Sequence, residues 1–129
     1  MDMSYARIIR SWWALKLTYG LLFVVAGADK FLNLITVWPK YLSPMLTQMI
    51  PLSIEHIVMG AAIFEIILGV LILVISARLG AYIAAAWLVV MALNLVSMGS
   101  YFDIAVRDLV MAVGALVLAW LTDVIEDVD

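Results

Sequence analysis

Long apolar runs, rather than alternating patterns, dominate this sequence. A helix that crosses a bilayer needs about 20 mostly apolar residues, and four runs are close to that length. They cover residues 12–28, 57–77, 79–98 and 104–122. These runs lack the period of two that a membrane strand would show. The pattern therefore predicts an all-α fold, a polytopic membrane four-helix bundle that forms one domain over residues 1–129.

One connection between the predicted helices is long, and it is too apolar for an ordinary solvated loop. It runs from about residue 33 to residue 55, between the first and second spans, and three prolines interrupt it. Its aromatic and apolar side chains include Trp38, Tyr41 and Met45. We expect this segment to lie along the membrane interface, with its rings at headgroup depth. There it serves either as a bilayer anchor or as a lid over the polar end of the bundle.

Composition agrees with a membrane protein and excludes several kinds of chemistry. Of the 129 residues, 67% are hydrophobic and only 13% are charged, whereas a soluble domain of this size needs a polar exterior. The net charge of −3 and the absence of a basic patch argue against a nucleic-acid partner. With no cysteine and one histidine, the chain cannot form a disulfide or a bis-histidine haem site, and we predict no metal site.

Basic residues near the ends of the spans predict the orientation in the membrane. The side that holds the N-terminus carries Arg7, Arg10 and Arg78. The opposite side carries Lys30, Lys40 and Arg107. Because Lys16 can extend its ammonium toward the N-terminal side, the balance favours cytoplasmic N- and C-termini and an outward-facing long connection. The expected location is the plasma membrane of a bacterium or an archaeon.

Polar side chains inside the spans are concentrated in one half of the bilayer. At 1.5 Å of rise per residue, Glu65 lies within about 2 Å of the centre of its span, and Lys30 lies about 12 Å toward the long connection. Asn94, Arg107 and Asp108 also fall on that side. The axial separation predicts that Lys30 reaches Glu65 only through a ligand or water. Arg107 is the nearer basic residue in depth, and Asn94 is the expected hydrogen-bond neighbour.

Helical spacing places these polar residues on stripes that also contain small residues. The first span has the stripe Lys16, Gly20, Phe23, Gly27 and Lys30. The second span has Ala61, Glu65 and Gly69. The third has Gly80, Ala84, Trp87, Met91, Asn94 and Met98, and the last has Arg107, Met111, Gly114 and Leu118. Small and polar residues face other helices in lipid, so each stripe should face inward, with Trp87 in a packing role.

The first-span stripe resembles the pattern of the DoxX family of small four-helix membrane proteins, which usually has arginine where Lys16 stands. The segment FEIILGVLILVISARLGAYIAA, with Glu65, Gly69 and Arg78, resembles a second pattern of that family. VRDLVMAVGALVLA is similar to the start of its last span. The resemblance implies the four-helix fold. It also implies one of the family's roles, which include quinone-linked sulfur oxidation, oxidative-stress membrane complexes and assembly of other membrane proteins.

The candidate ligand-binding residues are Glu65, Lys30, Asn94, Arg107 and Asp108, and none is assigned a catalytic role. Glu65 is either a neutral acid hydrogen-bonded to a neighbouring helix or a group that bonds or exchanges protons with a quinone or quinol. For Arg107 and Asp108, a cap and salt bridge at the start of their span is the favoured interpretation, and a ligand site is the alternative. The mixture of charged groups beneath an apolar lid suits an amphipathic ring headgroup.

Three classes of function follow from this pattern. The favoured class is a quinone- or lipid-binding membrane subunit that works with other membrane or soluble redox subunits in the lipid bilayer. The second is an assembly factor that binds other membrane proteins and performs no ligand chemistry. The third, a small transporter, is least favoured, because the sequence shows no inverted repeat and no broken span.

Overall fold

The computed structural model describes residues 3–32, 34 and 38–128, and the described residues contain helices but no strand. The α-helices are α1 (Met3–Leu32), α2 (Pro44–Met49), α3 (Ile54–Val70), α4 (Ala77–Met98) and α5 (Phe102–Val128). A 3-10 turn covers Trp38–Tyr41, and a π-helical turn, Leu71–Ile75, extends α3. This architecture confirms the predicted all-α four-helix bundle.

Four helical segments are long and apolar enough to cross a membrane, which supports an integral membrane protein in contact with the lipid bilayer. They are Ser4–Leu32, Ile54–Ile75, Ala77–Met98 and Phe102–Glu126. Many large apolar side chains, among them those of Leu21, Ile67 and Val110, are exposed on their outer faces. Lipid chains cover such apolar faces without a cost in free energy, whereas contact between these faces and water would be unfavourable.

Every long helix begins before its apolar run, and α1 and α5 also end beyond theirs. Helix α1 starts at Met3 rather than near residue 12, and α5 continues to Val128 rather than ending near residue 122. An apolar run marks only the apolar part of a helix. The helix itself continues, with its backbone hydrogen bonds, until a capping residue ends it. Between α3 and α4 that cap is Ser76, whose hydroxyl accepts from the Leu79 N–H at 3.2 Å. Arg78 therefore lies in the first turn of α4 and not in a loop.

Helices α1 and α3 pack backbone against backbone because glycines line their contact. A Cβ at Gly27 would lie 2.7 Å from the carbonyl oxygen of Ala62, and one at Gly69 would lie 2.6 Å from that of Gly20. Side chains cannot occupy such gaps, so both positions need glycine. The predicted small-residue stripes of the first two spans do face each other, and the glycine contacts set the axial register of the two helices.

Helices α4 and α5 pack through alanines instead. The buried alanines are Ala77, Ala81, Ala84, Ala85 and Ala92 of α4 and Ala105, Ala112, Ala115 and Ala119 of α5. Helix α1 joins this pair through two hydrogen bonds: the Tyr19 hydroxyl donates to the Met111 carbonyl at 2.6 Å, and the Trp12 indole donates to the Thr122 hydroxyl at 2.8 Å. Among the described residues, the half of the core nearer the chain termini contains no ion pair. The buried ion pair lies in the half nearer the long connection.

Candidate functional site

An ion pair between Lys30 of α1 and Glu65 of α3 forms the centre of the polar cluster. The Lys30 Nζ lies 2.9 Å from both Glu65 carboxylate oxygens. Only 9% of the lysine side chain and 5% of the glutamate side chain are exposed. In so dry a place the attraction between the charges is strong, and so is the cost of removing either charge alone.

Direct contact between these two residues corrects the expectation that a ligand or water must bridge them. That expectation rested on aligning the centres of the two apolar runs. The glycine contacts shift the register, because Gly27 packs against Ala62 and Ile66. Lys30 is three residues beyond Gly27, or about 4.5 Å along the axis, which a lysine side chain easily spans.

Two tryptophans enclose the ion pair. The Trp87 indole of α4 donates to Glu65 Oε1 at 3.2 Å, and its ring packs on Phe64 with the centroids 4.7 Å apart. The Trp38 ring, from the 3-10 turn, lies over the Lys30 ammonium at 3.9 Å from Nζ to the ring centroid. The pair is therefore covered by aromatic surface rather than by water. The prediction of a packing role for Trp87 misses this hydrogen bond.

Asp29 points into the cluster beside Lys30 and is only 4% exposed. Its Oδ2 accepts a hydrogen bond from the Trp38 indole at 2.7 Å, and its Oδ1 accepts one from the Leu34 backbone N–H at 2.8 Å. The two adjacent, oppositely charged residues at the end of α1 therefore each bind a different part of the chain. Lys30 holds α3, and Asp29 holds the segment that follows α1.

The long connection folds over the end of the bundle where α1 ends and α3 begins. We call residues 38–52 of this connection the lid. Ser43, 1% exposed, anchors it: its backbone N–H donates to Asn94 Oδ1 at 3.0 Å. The Asn94 amide nitrogen donates to the Tyr41 carbonyl at 2.6 Å, and the Ser97 hydroxyl lies 3.0 Å from the Ser43 hydroxyl. Both polar atoms of the Asn94 side chain therefore hold the lid, and the expected hydrogen bond with Glu65 is wrong.

The three predicted lid residues have different surroundings. Trp38 covers Lys30, and the Tyr41 ring packs edge-on against Tyr101 with centroids 4.8 Å apart. Tyr101 has a left-handed backbone with φ of 61°, a strained conformation for a tyrosine that directs its ring toward the lid. Met45 is 58% exposed and does not cover the cluster. Of the predicted connection, residues 33 and 35–37 lie outside the described residues.

The structure separates the two adjacent charges of the last span. Arg107 is exposed, and among the described residues it forms no hydrogen bond or ion pair, so the basic residue that contacts Glu65 is Lys30 and not Arg107. Asp108 is half-buried and close enough to interact electrostatically with Lys30 and Glu65. The alanines centre the α5 contact on the face of Ala105 and Ala112, which turns Asp108 inward and Arg107 out.

Polar satisfaction in the cluster is complete. Among the described residues, every buried side-chain nitrogen or oxygen has a hydrogen-bond partner. No group of three or more metal-ligating side chains comes together in that part of the chain. A groove of about 710 Å³ lies between α4 and α5, and its lining includes Tyr82, Val89 and Leu116 but not the ion pair.

Three residues of the site escaped the sequence prediction: Asp29 as the acceptor for Trp38, Trp87 as the donor to Glu65, and Ser43 as the lid anchor. Trp87 carried a signal, because it shares the inward stripe of α4 with Asn94. The chain matches no known family model, no curated protein and no solved structure. Its function must therefore be argued from this site.

Proposed function

We propose that the chain is a DoxX-like membrane subunit that binds the headgroup of a quinone or quinol at the Lys30–Glu65 pair. In this role it is an accessory, quinone-binding component of an electron-transfer complex. The observation that carries the proposal is the ion pair itself, which is dry, joins two membrane spans and is covered by two tryptophans. The resemblance of the sequence to the DoxX family supports the same role.

Structural need alone is a poor reason for such a pair. Replacing a buried ion pair with apolar side chains is often neutral or stabilising, so bundle stability does not require the charges. The glycine contacts of α1 and α3 already hold those helices together. Ionisable side chains inside a span cost free energy and mark ligand or proton sites by default. These points favour a chemical role for the pair.

The two side chains suit the oxidised and the reduced form of the ligand's ring. The Lys30 ammonium can donate to a ring carbonyl, and the Glu65 carboxylate can accept a hydrogen bond from a ring hydroxyl. The isoprenoid tail would remain among the lipid chains that cover the exposed faces of the helices. With no cysteine and one histidine in the chain, we assign the electron carrier to a membrane or soluble partner subunit.

Location and orientation follow the same proposal. A quinone pool and its redox complexes belong to an energised membrane, which for a DoxX-like protein is the plasma membrane of a bacterium or an archaeon. The basic residues near the span ends favour cytoplasmic termini. The lid and the polar cluster would then lie in the outer half of the bilayer.

Extraction into native-lipid discs, followed by mass spectrometry of bound lipids and proteins, tests the proposal. The key variant is Lys30→Gln/Glu65→Gln, which removes both charges yet can keep a hydrogen bond between two amides. Its matched control is Arg78→Gln/Asp123→Asn, which neutralises an exposed pair of the same 2.9 Å length. We expect quinone with the wild type and the control but not with the key variant. Equal quinone in all three samples, or none in the wild type, would contradict the proposal.

A membrane assembly factor is the second candidate, and one observation favours it. The buried polar atoms of the described residues already satisfy one another, so the closed cluster needs no ligand. The apolar groove between α4 and α5 is exposed on the outside of the bundle, where another membrane helix can pack. In the same extraction, this role predicts membrane proteins that co-purify equally with the wild type and the Lys30→Gln/Glu65→Gln variant, and no bound quinone.

A further inference from the structure

Trp38 is the lid residue that enters the polar cluster, and it makes two contacts there. The face of its ring covers the Lys30 ammonium, and its indole N–H donates to Asp29 Oδ2 at 2.7 Å. The side chain thus presents an aromatic ring to a cation and a hydrogen-bond donor to a carboxylate. Any other aromatic ring with a donor at its edge can make the same two contacts.

The fastening of the lid does not depend on Trp38. Ser43 and Asn94 hold the lid to α4 through a separate set of hydrogen bonds, five residues farther along the chain. The Trp38 ring can therefore leave Lys30 while Ser43 stays in place. A lid that served only as a cover would need no side chain that satisfies both a cation and a carboxylate of the site.

We propose that Trp38 holds the place of the ligand's ring, and that the ligand displaces it. The occupant that fits is a hydroxyl-bearing aromatic ring, so the site binds the quinol form more tightly than the quinone form. This inference rests on the proposed function, because it names which form of that ligand the same site takes. It also makes Asp29 the specificity-determining residue.

Asp29 supplies the discrimination because both of its carboxylate oxygens act as hydrogen-bond acceptors. A quinol hydroxyl can replace the Trp38 indole as its donor. A quinone carbonyl at the same place would face the carboxylate oxygen with no proton between them, so the hydrogen bond that Trp38 donates to Oδ2 would be lost and not replaced. A site built to bond a hydroxyl rejects the analogue that lacks it, and we expect the preference to be about tenfold or more.

The first test measures binding of duroquinol and duroquinone to the full chain in lipid nanodiscs under anaerobic conditions, by titration calorimetry. Trp38→Ala removes the competing ring and should strengthen duroquinol binding by about thirtyfold, the worth of a desolvated cation–π contact. Trp38→Phe keeps a ring over Lys30 but loses the donor, so its gain should be smaller. Trp120→Ala, at a tryptophan that is 53% exposed on α5, is the matched control and should change nothing.

The second test exchanges the polarity of the selective residue. Asp29→Asn keeps an oxygen for the Leu34 N–H and replaces the other oxygen with an amide donor. That donor suits a quinone carbonyl, so the variant should prefer duroquinone. A preference for duroquinol that is unchanged in Asp29→Asn would overturn the assignment of Asp29.

A measurement on the unmutated protein guards against variants that fail to fold. With 5-fluorotryptophan incorporated, the Trp38 fluorine resonance, assigned with Trp38→Phe, should shift at saturating duroquinol while the Trp120 resonance stays. An unmoved Trp38 resonance, or weaker duroquinol binding in a folded Trp38→Ala variant, would overturn the place-holding role. If Trp38 failed these tests but Lys30→Gln/Glu65→Gln still abolished binding, the proposed function would stand without the place-holding role. If neither the wild type nor any variant bound duroquinol or duroquinone, both the proposed function and the place-holding role would be overturned.

Discussion

The two ends of the bundle each contain an ion pair with the same separation and different surroundings. Lys30 and Glu65 lie 2.9 Å apart at 9% and 5% side-chain exposure, and Arg78 and Asp123 lie 2.9 Å apart at 53% and 39%. A second carboxylate, that of Glu126, lies 3.6 Å from the same guanidinium nitrogen as a further ion-pair partner. Distance alone therefore does not distinguish the two pairs. Their environment does.

Water and salt can replace either partner of the exposed pair, so its contribution to stability is small. The buried pair has no such replacement. Removing one partner leaves the other charge of the pair among tryptophans and helix backbones, whereas removing both leaves neither. The buried pair therefore makes each of its members dependent on the other. That dependence, and not the bond length, is the reason that we propose the buried pair as the ligand site.

Removal of one buried charge should have the largest effect. Lys30→Met leaves the Glu65 carboxylate without its cation and should lower the free energy of unfolding by about 3 kcal/mol. Lys30→Met/Glu65→Leu removes both charges and should recover most of that loss. Reversible unfolding in mixed detergent micelles measures both. A double variant as unstable as the single variant would show that the pair is needed structurally.

A side chain at the α1–α3 contact should have the next largest effect, because this contact delivers Lys30 to Glu65. A Cβ at Gly27 collides with the backbone of Ala62, so Gly27→Ala should destabilise the bundle by about 1–3 kcal/mol. Gly60 is the control on α3, since a Cβ there meets nothing within 4 Å. Gly60→Ala should be neutral or slightly stabilising in the same unfolding assay. Equal effects at the two glycines would contradict the close packing.

Loss of the lid anchor should have a smaller and local effect. Asn94→Ala removes two hydrogen bonds to the lid, and each such bond in a membrane protein contributes about 0.6 kcal/mol. Amide hydrogen exchange should rise at Leu42 and Ser43 while α1 and α3 keep their protection. Unchanged exchange at Ser43 would mean that other contacts hold the lid.

Neutralisation of the exposed pair should have the smallest effect. Arg78→Gln/Asp123→Asn should leave the unfolding midpoint unchanged at physiological salt, because solvent screens both charges. Repeating the measurement at low ionic strength should reveal a slight loss at most. A loss as large as that of Lys30→Met would abolish the contrast between the two pairs.

The sequence was sufficient to predict the four helices and the inward faces of α1 and α3. Long apolar runs report bilayer crossing directly, and Gly20, Gly27 and Gly69 mark close helix contact. The sequence was not sufficient to predict the axial register of α1 and α3. That register depends on how the backbones pack at the glycines and not on where the apolar runs are centred. The misplacement of Lys30 relative to Glu65 follows from this.

The lid shows a second limit of sequence reasoning. Its aromatic residues and prolines indicate an interfacial cover, but which ring faces inward depends on partners far along the chain. Asn94 is a polar residue on an inward stripe, and nothing local indicates that it bonds Ser43 rather than Glu65. The same holds for α5, where packing of Ala105 and Ala112 turns Asp108 inward and leaves Arg107 exposed.

The most direct test of the central claim, that the buried pair is a ligand site, is the dissociation constant of duroquinol in lipid nanodiscs. Wild type, Lys30→Gln/Glu65→Gln and Arg78→Gln/Asp123→Asn should be compared at matched unfolding stability. We predict binding that is at least about tenfold weaker in the first double variant, because both polar contacts to the ring lose their charge, and unchanged binding in the second. Equal dissociation constants in all three folded proteins would contradict the claim.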